Sequence, residues 1–309
     1  MNTTIGKTAE GLAASWYEAS ARQRLTGLLD PDSFEEFIGP ELRETSPHLP
    51  LFDLPQQFDD GMVVGKGLLN GAPVMVAAQE GRFMGGAFGE VHGAKLTGLL
   101  RASRDIGKVP VLILFDTGGV RLQEANAGEM AIAEVIRALL DARMAGVPVV
   151  GLIGGRAGCY GGGGLIAGCC SALAVSEQGR ISVSGPEVIE TNRGVEEFDS
   201  KDRALVWRTM GGKHRHLIGG AERFVDDTMS SFRMAAIELV ESSEVLSERT
   251  LEAEQDRLEK RIEKFGTCQD ALDIWEALGA PQPSAIPAMP FNEFVAMSDR
   301  LKEPQHDAR

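Results

Sequence analysis

The chain has 309 residues, 43% of them hydrophobic and 25% charged, so it can build a full core as one large domain or two small ones. Lys and Arg number 31 against 45 Asp and Glu, and the net charge of −14 disfavours nucleic acid and anionic lipid as partners. No apolar run reaches the ~18 residues of a membrane span, Met1 to Trp16 has no secretory apolar region, and four cysteines without a CxxC pair make neither a disulfide framework nor a zinc site, so a cytoplasmic, metal-free protein is expected.

Trp16 to Leu29 reads as a helix, with Leu25, Leu28 and Leu29 at helical spacing. Asp30-Pro31-Asp32-Ser33 breaks it and predicts a fresh helix start, with Glu35 and Glu36 in the first turn. Ser46 to Pro55 is loop. From Met62 the pattern turns to short strands, and Asn70-Gly71 between two apolar runs predicts a hairpin into Pro73–Ala78.

One unit then occurs three times: a buried strand, a glycine pair, and a helix of small residues. The first is Val74–Ala78, Gly85-Gly86 and Ala87–Leu100. The second is Val109–Phe115, Gly118-Gly119 and Val120–Leu140. The third is Val147–Ile153, Gly161-Gly162-Gly163-Gly164 and Leu165–Cys170. Strands this apolar, alternating with helices, belong to a parallel sheet covered on both faces. A further strand, Ala172–Ser176, leads to another at Ile181–Ser184. The predicted class is α/β, a spiral of ββα turns. Residues 1–60 form an N-terminal helical segment, 61–228 the core, and 229–309 C-terminal helices and tail, all in one continuous domain. Met229–Val245 is a helix; Leu251, Leu258, Ile262 and Phe265 share one face of the next, which Gly266 stops. Residues 280–290 and 299–309 read as loosely ordered.

Glycine makes up 37 residues, near 12% against a usual ~7%. A glycine pair after a strand can serve packing alone. It can also bare backbone N–H groups at a helix N-terminus, where they bind negative charge. Three pairs in register favour the second reading, because consecutive turns of a spiral stack their strand ends side by side. Two facing N–H sets then suit an oxyanion such as a thioester enolate. No G-x-G-x-x-G lies between a strand and a helix, and Gly65-Lys66 is not followed by Ser or Thr, which argues against nucleotide sites. Ile181-Ser182-Val183-Ser184-Gly185 lacks the first glycine of a nucleophile elbow. Cys159 reads as a small buried hydrophobe rather than a thiolate. His92 reads as structural, Glu124 as a helix-start acid, and Lys213-His214-Arg215-His216 as a solvated basic turn. Lys213 and Arg215 are also the candidate docking patch for an acidic partner. No proton donor stands out among Glu90, His92 and Glu124.

Asp116-Thr117-Gly118-Gly119-Val120-Arg121-Leu122-Gln123-Glu124 resembles the D-S-G-G-A-R-x-Q-E segment of acyl-CoA carboxyltransferases. Gly81 to Lys95 resembles their first helix entry, Gly185-Pro186-Glu187-Val188-Ile189-Glu190 their G-P-x-V-I-E, and Leu28 to Phe34 their L-L-D-P-x-S-F. Thr117 to Asn126 and Gly194 to Ser200 are most similar to the malonate decarboxylase β subunits of that family. The four-cysteine zinc ribbon of the acetyl-CoA carboxylase β subunit is absent from the sequence, and the loop from Gly158 to Gly164 is longer than the usual A-G-G. The resemblance implies a crotonase-like fold and a subunit that works with a γ subunit on malonyl carried by an acyl carrier protein. The carrier's arm is a dephospho-CoA derivative, and no cofactor is bound directly. It implies Gly118, Gly119 and Val120 as one backbone donor set and Gly161 and Gly162 as the other. Gly85, Gly86, Arg121, Tyr160 and Gly163 are then expected along the thioester arm. The alternatives are a carboxyltransferase subunit that passes the carboxylate to biotin, a silent scaffold for the γ subunit, and a crotonase-type hydratase or hydrolase.

Overall fold

Around its glycine loops the chain builds one seven-stranded sheet in sequential order, β1 to β7, in a computed structural model that describes residues 14–52 and 59–302. The strands β1 (Glu35–Glu36), β2 (Met62–Leu69) and β3 (Ala72–Gln79) pair antiparallel. The remaining four, β4 (Val111–Phe115), β5 (Val149–Ile153), β6 (Ala172–Ser176) and β7 (Arg223–Val225), follow β3 in parallel. The predicted hairpin is present: Asn70 and Gly71 both take positive φ, 54° and 79°, as a two-residue turn between right-twisted strands requires.

Strand residues alternate between two buried layers, so β4 and β5 are apolar along their whole length. Leu112, Leu114, Val150 and Leu152 face a layer made by α1 (Ala21–Leu28) and α8 (Met229–Ser242), where Trp16 stacks on Phe232 at 4.1 Å. Val111, Ile113, Phe115, Val149 and Ile153 face the opposite layer, made by α2 (Glu90–Ile106), α3 (Asn126–Met144) and α4 (Gly162–Cys169). The crossovers carry α5 (Pro186–Arg193), α6 (Arg203–Met210) and α7 (Gly212–Leu217). Beyond α8 come α9 (Glu248–Phe265), α10 (Ala271–Ala277) and α11 (Phe291–Lys302).

Several expectations change. Glu35 and Glu36 are not helical but pair with Lys66 and Gly65, because the exposed edge of β2 offers ladder partners. The helices after the first two glycine pairs begin at Glu90 and Asn126, later than expected, because Ala87 and Gly89 stay extended with Phe88 bridged to Val120, and a 3₁₀ turn at Leu122–Glu124 precedes the second. Ile181–Ser184 forms no strand; Ile181 makes one isolated bridge to Cys159. The apolar stripe of α9 is only partly covered: Leu251 is 57% and Ile262 70% exposed, while Leu258 and Phe265 are half-buried. Residues 280–302 are ordered rather than loose: a 3₁₀ turn at Pro283–Ala288 leads into α11, and Ile286, Phe294 and Met297 are buried, Phe294 against Phe224. Residues 1–13, 53–58 and 303–309, on which the signal-peptide, Pro55 loop and tail expectations fall, lie outside the described residues. No helix among those described is long and apolar enough to cross a membrane.

Beyond the strand ends, single bridges continue the spiral: Phe88 with Val120, Thr117 with Cys159, and Cys159 with Ile181. They bring the glycine loops edge to edge.

Candidate functional site

The exits of β4 and β5 place two glycine loops in van der Waals contact. A methyl group on Gly161 would lie 3.1 Å from Gly119 Cα and 3.9 Å from Val120 N. Thr117 sets the register by donating its N–H to Gly158 O at 2.8 Å and accepting from Tyr160 N at 3.0 Å. Gly161 is the N-cap of α4 at φ 56°, a left-handed conformation, and no side chain caps that helix. The bare end of α4, with its positive dipole end and uncapped N–H groups, therefore abuts the neighbouring loop at Gly119.

The expected donors differ in where their N–H groups go. Gly118, although exposed, donates to Gly85 O at 2.8 Å, and Gly119 donates to Thr117 Oγ1 at 3.1 Å, so both are engaged within the fold. Val120 N, Gly161 N and Gly162 N have no hydrogen-bond partner among the described residues. Three amides from two abutting loops are thus free for an acceptor.

The residues expected along the arm separate as well. Gly85 is exposed with open space around it, whereas Gly86 is wedged so that a Cβ would fall 1.7 Å from Asp116 O. Gly163 presses on Thr117 Cγ2 and donates to Tyr160 O, which makes it a packing residue. Arg121 is turned inward and 1% exposed. Its guanidinium donates to Glu124 Oε1 at 2.7 Å, Asp60 O at 2.9 Å and Ala87 O at 3.0 Å. Tyr160 is 5% exposed, its hydroxyl is buried without a partner, and burial pushes its phenol up against the opposing pull of Arg180 and Arg215. The Arg121 guanidinium is thus engaged within the fold rather than presented to the free amides.

Other candidates resolve by burial. Burial pushes the Cys159 thiol well above its ordinary value, so it stays protonated, as expected of a small buried hydrophobe. His92 is fully buried against Gln79 Nε2 at 3.1 Å, and burial together with the Arg121 and Lys95 charges holds it neutral. Glu124 pairs with Arg121 and accepts from Glu90 N at 2.5 Å, so it braces the entry of α2. The stretch Lys213 to His216 is no solvated turn. It forms most of α7, where Lys213 bonds Pro287 O, Met289 O and Glu177, and burial holds His214 down at about 3. Lys213 is therefore unavailable for docking. Among the described residues, no group of three His, Cys, Asp or Glu could hold a metal ion.

Sequence reasoning passed over Gln79 and gave Asp116 no role. Gln79 Oε1 accepts from Asp116 N at 3.1 Å, and Gln79 Nε2 donates to Gly86 O at 3.4 Å. Asp116, at the exit of β4, pairs with Arg24 at 2.8 Å and accepts from Ala157 N at 2.7 Å, at the start of the third loop. Only the first residue of the D-T-G-G segment hinted at this. A concavity of about 940 Å³ lies on the opposite side of the sheet against α1 and α8, away from the glycine loops.

A mixed sheet whose parallel strands open into abutting glycine loops ahead of their crossover helices defines a class, and the whole-chain comparisons agree. Residues 18–220 match the carboxyl transferase domain, and the chain belongs to that family. It is 39% identical to the malonyl-S-ACP:biotin-protein carboxyltransferase of Malonomonas rubra, over 96% of this chain and all of that one. Its structure matches a chain of the Pseudomonas malonate decarboxylase hetero-tetramer with TM-score 0.79 and 37% identity, over 89% of this chain and all of that one. A chain of a Pseudomonas malonate decarboxylase hetero-dimer matches at TM-score 0.64 with 36% identity, over 80% of this chain and 96% of that one. The transcarboxylase 12S chain, at 24% identity and TM-score 0.61, shares the crotonase-like fold; this chain covers 42% of it and the match spans 76% of this one. The chain is thus an enzyme subunit, a carboxyltransferase or a carboxy-lyase.

Proposed function

We propose that this chain is the β subunit of a malonate decarboxylase. With a γ subunit it converts malonyl, carried as a thioester on an acyl carrier protein, into the acetyl thioester and CO₂. The observation that carries the reading is the set of three free amides, Val120, Gly161 and Gly162, on two abutting loops. When the bond between the α-carbon and the carboxylate breaks, CO₂ leaves and the electron pair moves through the α-carbon onto the thioester oxygen. Amides already aimed at that oxygen stabilise the enolate without reorganising, and losing one donor of this kind costs about 3 kcal/mol. A proton then closes the α-carbon to the acetyl group. Neutral donors suit this step. A cation seated on the departing carboxylate would stabilise the reactant and raise the barrier, and the nearby Arg121 is instead turned inward.

A second reading has a specific observation behind it. The Malonomonas relative, matched over nearly the whole chain, is named for transfer to a biotin protein. The same enolate chemistry serves both reactions, which differ in whether the CO₂ is released or captured by biotin. The deciding experiment mixes the chain with malonyl-loaded carrier, with and without the γ subunit, and measures CO₂ release without biotin. Release that needs both subunits supports the decarboxylase. Release or carboxybiotin only after a biotin carrier is added moves the assignment to carboxyl transfer. Silence in every mixture overturns both readings.

A further inference from the structure

The exit of β4 lies between those of β3 and β5, and the Asp116 carboxylate occupies that junction. A Cβ on Gly81, just past β3, would meet Asp116 Cγ at 2.5 Å, and one on Gly155, just past β5, at 2.2 Å. Both neighbouring strands thus turn closely around this one carboxylate. Its two oxygens have separate tasks. Oδ1 accepts from Ala157 N at 2.7 Å, at the entry to the loop that ends in Gly161 and Gly162. Oδ2 accepts from Arg24 Nη1 at 2.8 Å. The Asp116 backbone N–H is held by Gln79, whose amide also reaches Gly86 O, so the first glycine turn joins the same network.

Arg24 comes from α1, outside the repeating ββα units. Its Nε is anchored on Trp16 O at 2.8 Å, and its guanidinium lies 5.7 Å from the Trp16 ring centroid. Both members are buried, Arg24 at 1% and Asp116 at 3% exposure. A buried ion pair is a poor source of stability, since apolar residues of similar volume do as well or better. What it supplies that they do not is direction: two oxygens fixed at set angles between two loops.

We propose that Asp116, oriented by Arg24, is a positioning residue that sets the separation of the two amide-bearing loops. The proposal rests on the reading of Val120, Gly161 and Gly162 as donors to an enolate. Three variants in the assembled enzyme test it. Asp116→Asn leaves one oxygen to serve two donors. It should lower kcat about 10-fold or more with KM within about 2-fold, since donors displaced by a fraction of an ångström lose transition-state binding first. Arg24→Met combined with Asp116→Asn frees that oxygen for Ala157 N–H and should restore kcat to within about 3-fold of the parent. Arg24→Met combined with Asp116→Leu is equally uncharged but has no acceptor, so its kcat should stay low even if its thermal stability recovers.

Hydrogen exchange supplies a readout that does not depend on turnover. The Ala157 amide and the bonded amides of Gly158, Cys159 and Tyr160 should exchange slowly in the parent and in the Met/Asn pair, and quickly in the Met/Leu pair. A Met/Leu enzyme with parental kcat and slow exchange overturns the proposal. If the Met/Leu chain does not fold, unequal kcat between Asp116→Asn and the Met/Asn pair still supports it, and equal kcat sinks it. A parent that releases no CO₂ refutes the decarboxylase reading alone, because the exchange pattern still decides whether Asp116 holds the loop.

Discussion

The first and third glycine turns carry nearly the same sequence signal and do opposite work. Gly86 is buried, donates its N–H to Phe83 O at 2.8 Å, and lets the first turn close against the Asp116 carbonyl. Gly161 and Gly162 leave their N–H groups free and face a second loop with a free amide of its own. Absence of a side chain serves close packing in one place and open backbone in the other. What separates them is whether the surrounding carbonyls have already taken the N–H groups, and that is a property of the neighbours.

The sharpest way to break this comparison is Gly86→Ala. With φ at 66° and the methyl directed into Asp116 O, unfolding stability should fall by about 3 kcal/mol or more in a urea titration. An unchanged midpoint would remove the packing role. Gly161→Ala should behave inversely. Its methyl, 3.1 Å from Gly119 Cα, should part the two loops and lower CO₂ release about 100-fold, while the backbone at φ 56° and ψ −130° costs about 2 kcal/mol of stability. Parental turnover with normal KM would mean the third loop is packing too.

Acid should act on the first turn through His92. Burial holds its folded titration below the ~6.5 of an unfolded histidine, so the unfolded chain takes the proton first. This stabilising contribution is complete above about pH 6.5. It declines by about 1.4 kcal/mol per pH unit below that, until the folded imidazole protonates. His92→Gln should flatten that limb of a stability profile measured between pH 7 and 5, and an identical slope would acquit His92. The smallest effect belongs to Gly85→Ala. Its φ is 65° but nothing lies within 4 Å, so the cost should be about 1 kcal/mol, and Gly85→Asn should cost less. A loss as large as that of Gly86→Ala would show that the exposed glycine is also wedged.

The strands, the Asn70-Gly71 hairpin and the repeated strand–glycine–helix unit were legible because each rests on local periodicity and turn chemistry. The α1–Asp116 link was not, since 92 residues separate Arg24 from its partner and no periodicity marks either one. The basic run from Lys213 to His216 misled for the same reason. A cluster of cations looks solvated until the carbonyls of Pro287 and Met289 and the Glu177 carboxylate arrive from distant segments to bury Lys213. The stripe of α9 shows a related limit: amphipathic spacing specifies a helix with an apolar face, as found, and says nothing of how far this chain covers it.

By itself, then, the sequence determined the α/β class, the order of the units and the places where side chains are missing, because backbone preference and burial are encoded within a few residues. Only the tertiary structure decided which of those bare backbones are free to act. Hydrogen-bond satisfaction is settled between segments far apart in the chain, and here it leaves Val120, Gly161 and Gly162 open while engaging Gly86, Gly118 and Gly119.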